Sequence, residues 1–428
     1  MYAQFTTVPL YVAIDIGKNV HCFGGFEGAE CRPCGEPEMV HSTQRGYRQF
    51  CAWLSAQVAS GRYDPIVVGM EPTGIYHEHW AYALAQDFGG QIELRFLNPY
   101  QTKNRRKQVT NSRRRKSDAL DVEAIAQCLR DNLAHPARLP QDASFGFGTW
   151  AASFRRAHSQ KQRLHNTLLS ELDRLWPGAL VNVRAFRKAH PDMAEPKPLV
   201  LSHPLQRRIV QILIEFAPDP SQWLSWTLED VCRFFHSHNL RCGPVTAARL
   251  QHVAEEAVLL PKSIASNLIE YLQIDWCRYQ RLVEEVERLR QLIKDLVPGT
   301  PAAVLTTVPG IGAFLAGAYM AYVVDPARFQ RADQIWSLAG FDPRQEESGD
   351  WSRLGKITRR GNPGLRNILY AIGFETSKHC PAIRRSKEQA LQRGKGPVGS
   401  TLHAAHRANR MCFRLLRDQV PYDAERMR

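Results

Sequence analysis

The chain has 428 residues, of which 44% are hydrophobic, so a sizeable core is expected and wholesale disorder is not. Its 56 Lys and Arg against 42 Asp and Glu leave a formal net charge of +14, which points first to nucleic acid and only then to an anionic membrane surface; a basic protein with neither partner is the competing reading. No apolar run reaches the roughly 18 residues that a membrane-crossing helix needs, and the opening MYAQFTTVPLYVAIDIG has neither a basic leader nor a small-residue cleavage site, so a cytoplasmic protein without a membrane partner is expected.

The first segment alternates strand-like and helix-like runs. Leu10 to Ile16 is apolar and β-branched and stops at Gly17; Ile66 to Met70 is a second such run, stopping at Glu71-Pro72-Thr73-Gly74; Ile92 to Leu97 is a third, stopping at Asn98-Pro99. Helical stretches lie between them at Tyr47 to Ala59 and Tyr76 to Asp87. Strands alternating with helices predict an α/β domain with a mostly parallel sheet over about residues 8–140. The ten cysteines are scattered and fit reduced thiols. Cys31 and Cys34 are the one close pair, and with only His41 and Cys51 as irregularly spaced further donors, a surface loop is preferred to a zinc site.

Residues 103–116, KNRRKQVTNSRRRK, carry no apolar period and read as a solvated basic loop. Arg105, Arg106, Arg113, Arg114, Arg115 and Lys116 in this run are candidate nucleic-acid contacts. Ser117 is placed to cap the helix that follows, which opens on Asp118 and Asp121.

A long helix is expected from about Trp150, with Leu164, Leu168, Leu172 and Leu175 on one face and Arg155, Arg156 and Arg163 among the polar residues on the other, ended by Pro177-Gly178. Residues 190–204 read as a connection, and 206–256 as short helices punctuated by Pro218, Pro220 and Gly243-Pro244. From 261 to 297 the residues Leu282, Val286, Leu289, Ile293 and Leu296 recur at spacings of 4, 3, 4 and 3, the seam of a helical hairpin or a coiled-coil dimer contact. The helical and coiled-coil middle thus covers 150–297, and a mostly α domain covers 301–428. In the latter, Val308-Pro309-Gly310-Ile311-Gly312 precedes an apolar helix, a helix-hairpin-helix-like turn whose Gly310 and Gly312 would offer backbone N–H groups to a phosphate.

Four carboxylates stand out. Asp15 sits inside an apolar strand, where an acid must be paired, protonated or metal-bound. Glu71 closes the second strand, and Asp118 and Asp121, three apart, share one helix face. Hard oxygen donors of this kind suit Mg²⁺, and one or two such ions can assist phosphodiester exchange. Each acid also has an ordinary reading: a phosphate-binding strand of a sugar-kinase-like fold for Asp15, a loop cap for Glu71, helix N-terminal acids for Asp118 and Asp121.

With AIDIGK at 13–18, GMEPTG at 69–74, KSDALDVEAIA at 116–126, TVPGIG at 307–312, LAGFDP at 338–343, ESG at 347–349, KITRRGNPGLRNILY at 356–370, RGKGP at 393–397 and a closing PY at 421–422, the chain resembles the DEDD-type transposases of bacterial insertion sequences, the bridge-RNA-guided serine recombinases. The resemblance spans nearly the whole chain, and two motif sets stand in the family's order.

It implies a RuvC-like, RNase H-type first domain in which Asp15, Glu71, Asp118 and Asp121 bind divalent metal. It also implies a serine nucleophile, Ser348, in the last domain, where the bare residues read as a Ser-Gly turn and Ser352 stands close by. Arg344, Lys356, Arg359 and Arg360 around it become candidate phosphate contacts. The partners implied are donor and target double-stranded DNA, a structured noncoding guide RNA and a homodimer assembling to a tetramer, in a bacterial cytoplasm at the nucleoid, with the acids of one protomer meeting the serine of another. The helix at 261–297 is the candidate dimer contact. A metal-dependent, junction-resolvase-like nuclease without a covalent step and a non-enzymatic nucleic-acid-binding protein are the competing readings.

Overall fold

The computed structural model describes residues 7–425 except 73, 111–116, 138, 140–142, 201, 349–350 and 358–360; the side chains of 109–110, 143–144, 343–348 and 351–357 also lie outside the described set. The chain divides into two units, Met1–Pro140 and Gln141–Arg428.

The first unit is built on a seven-stranded sheet. β1 (Val8–Ile16) pairs antiparallel with β2 (Val20–Glu27), to which β3 (Arg32–Pro33) and β4 (Glu38–His41) add. Helix α1 (Gln44–Ala59) starts where the Thr43 side chain accepts a hydrogen bond from the Gly46 N–H. β5 (Tyr63–Met70) lies parallel to β1, α2 (Tyr76–Asp87) follows, and β6 (Glu93–Phe96) lies parallel to β5. Then come α3 (Pro99–Thr110), α4 (Asp118–Arg130) and β7 (His135–Pro136), which pairs antiparallel with β6. The strand order is β3-β2-β1-β5-β6-β7.

Side chains alternate across the sheet. Leu10, Val12 and Ile14 of β1, with Ile66, Val68 and Met70 of β5, pack on one face with Phe50 and Leu54 of α1 and Trp80 and Leu84 of α2. Ala13, Cys22 and Val67 pack on the other face, under Val122, Ile125, Ala126 and Leu129 of α4. That helix lies close because glycines receive it: a Cβ on Gly24 would come 3.1 Å from Val122 Cγ1, and one on Gly69 would fall on the Leu129 side chain.

Two readings of the sequence change here. β2 was not expected, because Gly24-Gly25 interrupts its apolar pattern; those glycines are where Val122 and Trp53 close on the strand. The basic run expected as a loop is helical from its start at 103 through Thr110. Lys, Arg and Gln are good helix formers, and α3 shows no apolar period because ion pairs from Arg105 to Asp131 and from Arg106 to Asp121 tie it to α4.

The second unit is mostly helical. α5 (Ala143–Leu175) begins seven residues before Trp150. α6 (Val183–Ala189), α7 (Arg208–Phe216), α8 (Pro220–Trp223), α9 (Leu228–Ser237) and α10 (Pro244–Glu256) lead to α11 (Lys262–Asp295). Trp176, Trp223, Phe235, Leu272 and Trp276 centre the core of this part. After a 3-10 segment, Pro301–Thr307, come α12 (Ala313–Val323), α13 (Ala332–Leu338), the hairpin β8 (Pro343–Ser348) and β9 (Trp351–Ile357), and α14 (Pro363–His379), α15 (Pro381–Gln392) and α16 (Pro397–Asp418). Their core joins Phe147 and Ile293 from the long helices to Tyr319, Leu365, Leu369 and Cys412.

The 4-3-4-3 seam of α11 is used within the chain. Val286 and Leu289 pack with Ala157 of α5, Ile293 packs in the core with Phe147, and Leu296 lies against Gly146. Those four seam residues therefore pair α11 with α5 as a helical hairpin, while Leu282, at the start of the seam, stays half-buried beside a groove.

Helices α14 and α16 cross at Gly373, where an added Cβ would come 2.5 Å from the Ala405 backbone. Gly373→Ala should push the helices apart and lower unfolding stability by roughly 1–3 kcal/mol, the usual cost of overpacking. Urea denaturation measures it, and an unchanged midpoint would refute this close crossing.

Candidate functional site

The alternation that puts Tyr11 and Ala13 on the α4 face of β1 carries Asp15 to the same face, and Val67 and Gly69 do the same for Glu71, the residue after β5. Because β1 and β5 are parallel, with Ile14 opposite Met70, the two acids leave neighbouring strands at the same end. Helix α4 supplies the other two from its first turn, after Ser117 caps it by accepting from the Leu120 N–H. Asp118 is exposed, Asp121 is buried and Asp15 and Glu71 are half-buried.

Cys22 reports which acids share surroundings. It lies opposite Asp15 in the β1–β2 ladder. Its thiol is pushed up to about 11, first by burial and then by the negative charges of Asp118 and Asp15. Cys128 of α4 is likewise raised by burial, with Glu71 adding to the rise and Arg105 opposing it. The fourth acid is engaged: Arg106 Nη1 donates to Asp121 Oδ1. The donor chemistry, four carboxylates on β1, the end of β5 and α4, fits a hard divalent cation. Among the described residues, however, no three metal-ligating side chains lie close enough together to hold an ion. Asp15 and Asp118 act on one thiol, while Asp121 faces a guanidinium.

In the second unit, Ser348 is the last residue of β8 and pairs with Trp351. Its side chain, like those of Arg344 and Lys356, lies outside the described residues, as do Arg113, Arg114, Arg115, Lys116, Arg359 and Arg360 altogether. The glycine turn is built as a close approach. Gly310 has φ of 97° and an added Cβ would come 2.8 Å from Glu375 O, so only glycine fits. Gly312 precedes α12 as its N-cap and faces open space. The turn borders a cavity of about 380 Å³ with Glu375 and His379. The Glu375 carboxylate there is paired with Lys378 at 2.9 Å.

The remaining basic candidates separate into two groups. Arg105 and Arg106 turn inward onto Asp131 and Asp121. Arg155, Arg156 and Arg163 are exposed on α5, and Arg163 lines a shallow groove of about 450 Å³ with Arg278 and Arg281 of α11. A cavity of about 790 Å³ near Val8, Glu27 and Arg62 lies by the opposite end of β1 and is lined by none of the four acids. Sequence reasoning missed Cys22 as the neighbour of the acids, because β2 itself was not expected. It also missed Arg407, Arg410, Arg414 and Arg417 on α16, although their spacing of 3, 4 and 3 was readable as one helix face.

Comparison with known proteins gives two domain matches. Residues 12–177, which contain all four acids, match a DEDD-type transposase domain of the IS110 group. Residues 302–388, which contain Gly310, Gly312 and Ser348, match the transposase IS116/IS110/IS902 family. Curated relatives include the insertion element IS110 uncharacterized 43.6 kDa protein of Streptomyces coelicolor, 28% identical over 33% of this chain and 35% of its own length. A probable family 20 transposase of Pseudomonas aeruginosa is 35% identical over 34% of this chain and 43% of its own length. A pilin gene-inverting protein of Moraxella lacunata is 25% identical over 33% of this chain and 46% of its own length. The chain thus spans less than half the length of each of these relatives.

Asp118→Asn should lower the Cys22 pKa, since removing a nearby negative charge favours the thiolate. The pH dependence of Cys22 alkylation in the folded chain measures this. A profile identical to the parent's would mean that Asp118 and Cys22 do not share the site.

Proposed function

We propose that this chain, which belongs to the IS110/IS116 transposase family by the two domains it carries, cuts and rejoins donor and target DNA under the direction of a structured guide RNA. The observation that carries the reading is the gathering of Asp15, Glu71 and the first turn of α4 at one end of one sheet face, with Asp15 and Asp118 both acting on Cys22. A sheet of antiparallel strands leading into parallel β1, β5 and β6 suits a RuvC-like, RNase H-type domain. The name of the Moraxella relative, a pilin gene-inverting protein, is in keeping with breakage followed by rejoining.

In this reading Asp15, Glu71, Asp118 and Asp121 hold divalent metal, taken as Mg²⁺, which when bound supplies positive charge beside the scissile phosphate. Arg106 neutralises Asp121 until that charge is supplied. The Ser348 Oγ attacks phosphorus, an Oγ–P bond forms, the bond from phosphorus to one sugar oxygen breaks, and that oxygen leaves with a proton. The phosphoserine link conserves the energy for rejoining to a new strand. The Gly310–Gly312 turn and the exposed Arg155, Arg156 and Arg163 hold nucleic-acid backbone without reading sequence. A homodimer pairing into a tetramer brings the acids of one copy to the serine of another.

A metal nuclease with no covalent step is the second reading, favoured by the placement of all four acids in one unit with its own cores. One pair of variants separates the two. Ser348→Ala should abolish the detergent-resistant protein–DNA adduct while RNA binding persists, and Asp118→Asn should slow strand breakage by roughly 100-fold or more. Adducts at full yield in Ser348→Ala would eliminate this serine, and parent-like breakage in Ser348→Ala, with no adduct in the parent, would favour the nuclease.

A further inference from the structure

Helix α16 lies wholly outside the matched transposase span of 302–388, and one side of it is accounted for by packing. Ala404, Ala408, Cys412, Leu415 and Leu416 are buried in the core. Asn409, wholly buried, sets the helix's rotation: its Oδ1 accepts from the Tyr319 hydroxyl at 2.9 Å and its Nδ2 donates to Ala332 O at 2.8 Å. With that side pinned, His403, Arg407, Arg410, Arg414 and Arg417 are exposed along the other. Their spacings of 4, 3, 4 and 3 make a single stripe, in which successive side chains leave the helix about 5 Å apart along its axis.

A charged helix face is commonly just a solvated one, so the balance of charge and the shape of the surface decide. Only two carboxylates answer the row among the described residues: Asp333, at 3.1 Å from His406 and 3.6 Å from Arg410, and Asp418, at 3.8 Å from Arg414 and 2.7 Å from Arg417. Four arginines against two acids leave an excess of two positive charges, and Arg407 makes no ion pair among the described residues. A cleft also runs beside the row. His403, His406, Arg407, Arg410 and Arg414 face Ser386 of α15 across a cleft of about 350 Å³.

We propose that this α15–α16 cleft and arginine row bind the phosphate backbone of double-stranded DNA, a contact surface additional to the one around the glycine turn. A straight row of cations about 15 Å long, from Arg407 to Arg417, suits a regular anionic polymer better than one small phosphate. A duplex is indicated because the two large rings beside the row are not presented for base stacking: Trp336, against the cleft residue His406, is half-buried and stacked on Phe341 at 4.2 Å, and Phe413, under Arg417, is buried. DNA is taken as the duplex because the proposed reaction acts on it, and the inference rests on that reading to this extent.

The test compares the parent chain with Arg407→Gln, Arg410→Gln, Arg414→Gln combined, using a short random-sequence DNA duplex and the matching RNA duplex as probes. Binding is followed by fluorescence anisotropy over a series of salt concentrations. The variant should bind the DNA duplex about tenfold or more weakly at low salt, with a log–log salt slope shallower by about 2 to 3, one phosphate contact for each arginine. The corresponding triple Arg→Lys variant should keep most of the parent slope. Parent-like affinity and slope in the Gln variant, a loss confined to the RNA duplex, or an equal loss in the Lys variant would each overturn the proposal. The assay reads binding without strand breakage: a chain that binds duplex through this row but never breaks DNA would sink the proposed reaction and leave the row standing.

Discussion

Everything proposed for the first unit depends on how closely α4 lies on the sheet. Two strand glycines, Gly24 and Gly69, leave room for Val122 and Leu129, and the helix settles across β2, β1 and β5 with its apolar side down. That seat brings Asp118, in the first turn of α4, to surroundings shared with Asp15, while Asp121 of the same turn meets Arg106. The Ser117 cap fixes where the turn begins. A bulkier residue at Gly69 would lift the helix, and the acids would separate without any of them being altered.

The same packing explains why the acids are tolerable in a folded protein. Carboxylates brought together repel, and removing them from water adds to the cost. Asp121, the most buried of the four, is met by Arg106, and α3 is held on α4 a second time through Arg105 and Asp131. The basic helix α3 thereby supplies counter-charge to Asp121 and Asp131. A divalent cation at Asp121 would compete with the Arg106 guanidinium for that carboxylate, and its binding would then be linked to the seating of α3.

Much of this was legible in the sequence, and the failures are instructive. The three expected strands are there, because β-branched runs stopped by Gly or Pro signal strands whatever packs on them. The acids could be picked out because an Asp within LYVAIDI breaks a buried pattern. β2 escaped because its two central glycines answer to neighbours distant in the chain, Val122 and Trp53. Helix α3 escaped because its anchors are ion pairs, which leave no apolar period. The seam of α11 was visible, but periodicity cannot say whether the partner helix belongs to the same chain; here it is α5. The role proposed for Ser348 rests on resemblance alone, since a serine at a strand end has no distinguishing physical mark.

The central claim is that Asp15, Glu71, Asp118 and Asp121 form one divalent-metal site, and direct binding tests it without relying on activity. Mn²⁺ titrated into the chain and followed by electron paramagnetic resonance should show stoichiometric uptake by the parent. Binding should be lost in the combined variant Asp15→Asn, Asp118→Asn, with the fold retained. Equal Mn²⁺ uptake by the parent and that variant would contradict the account.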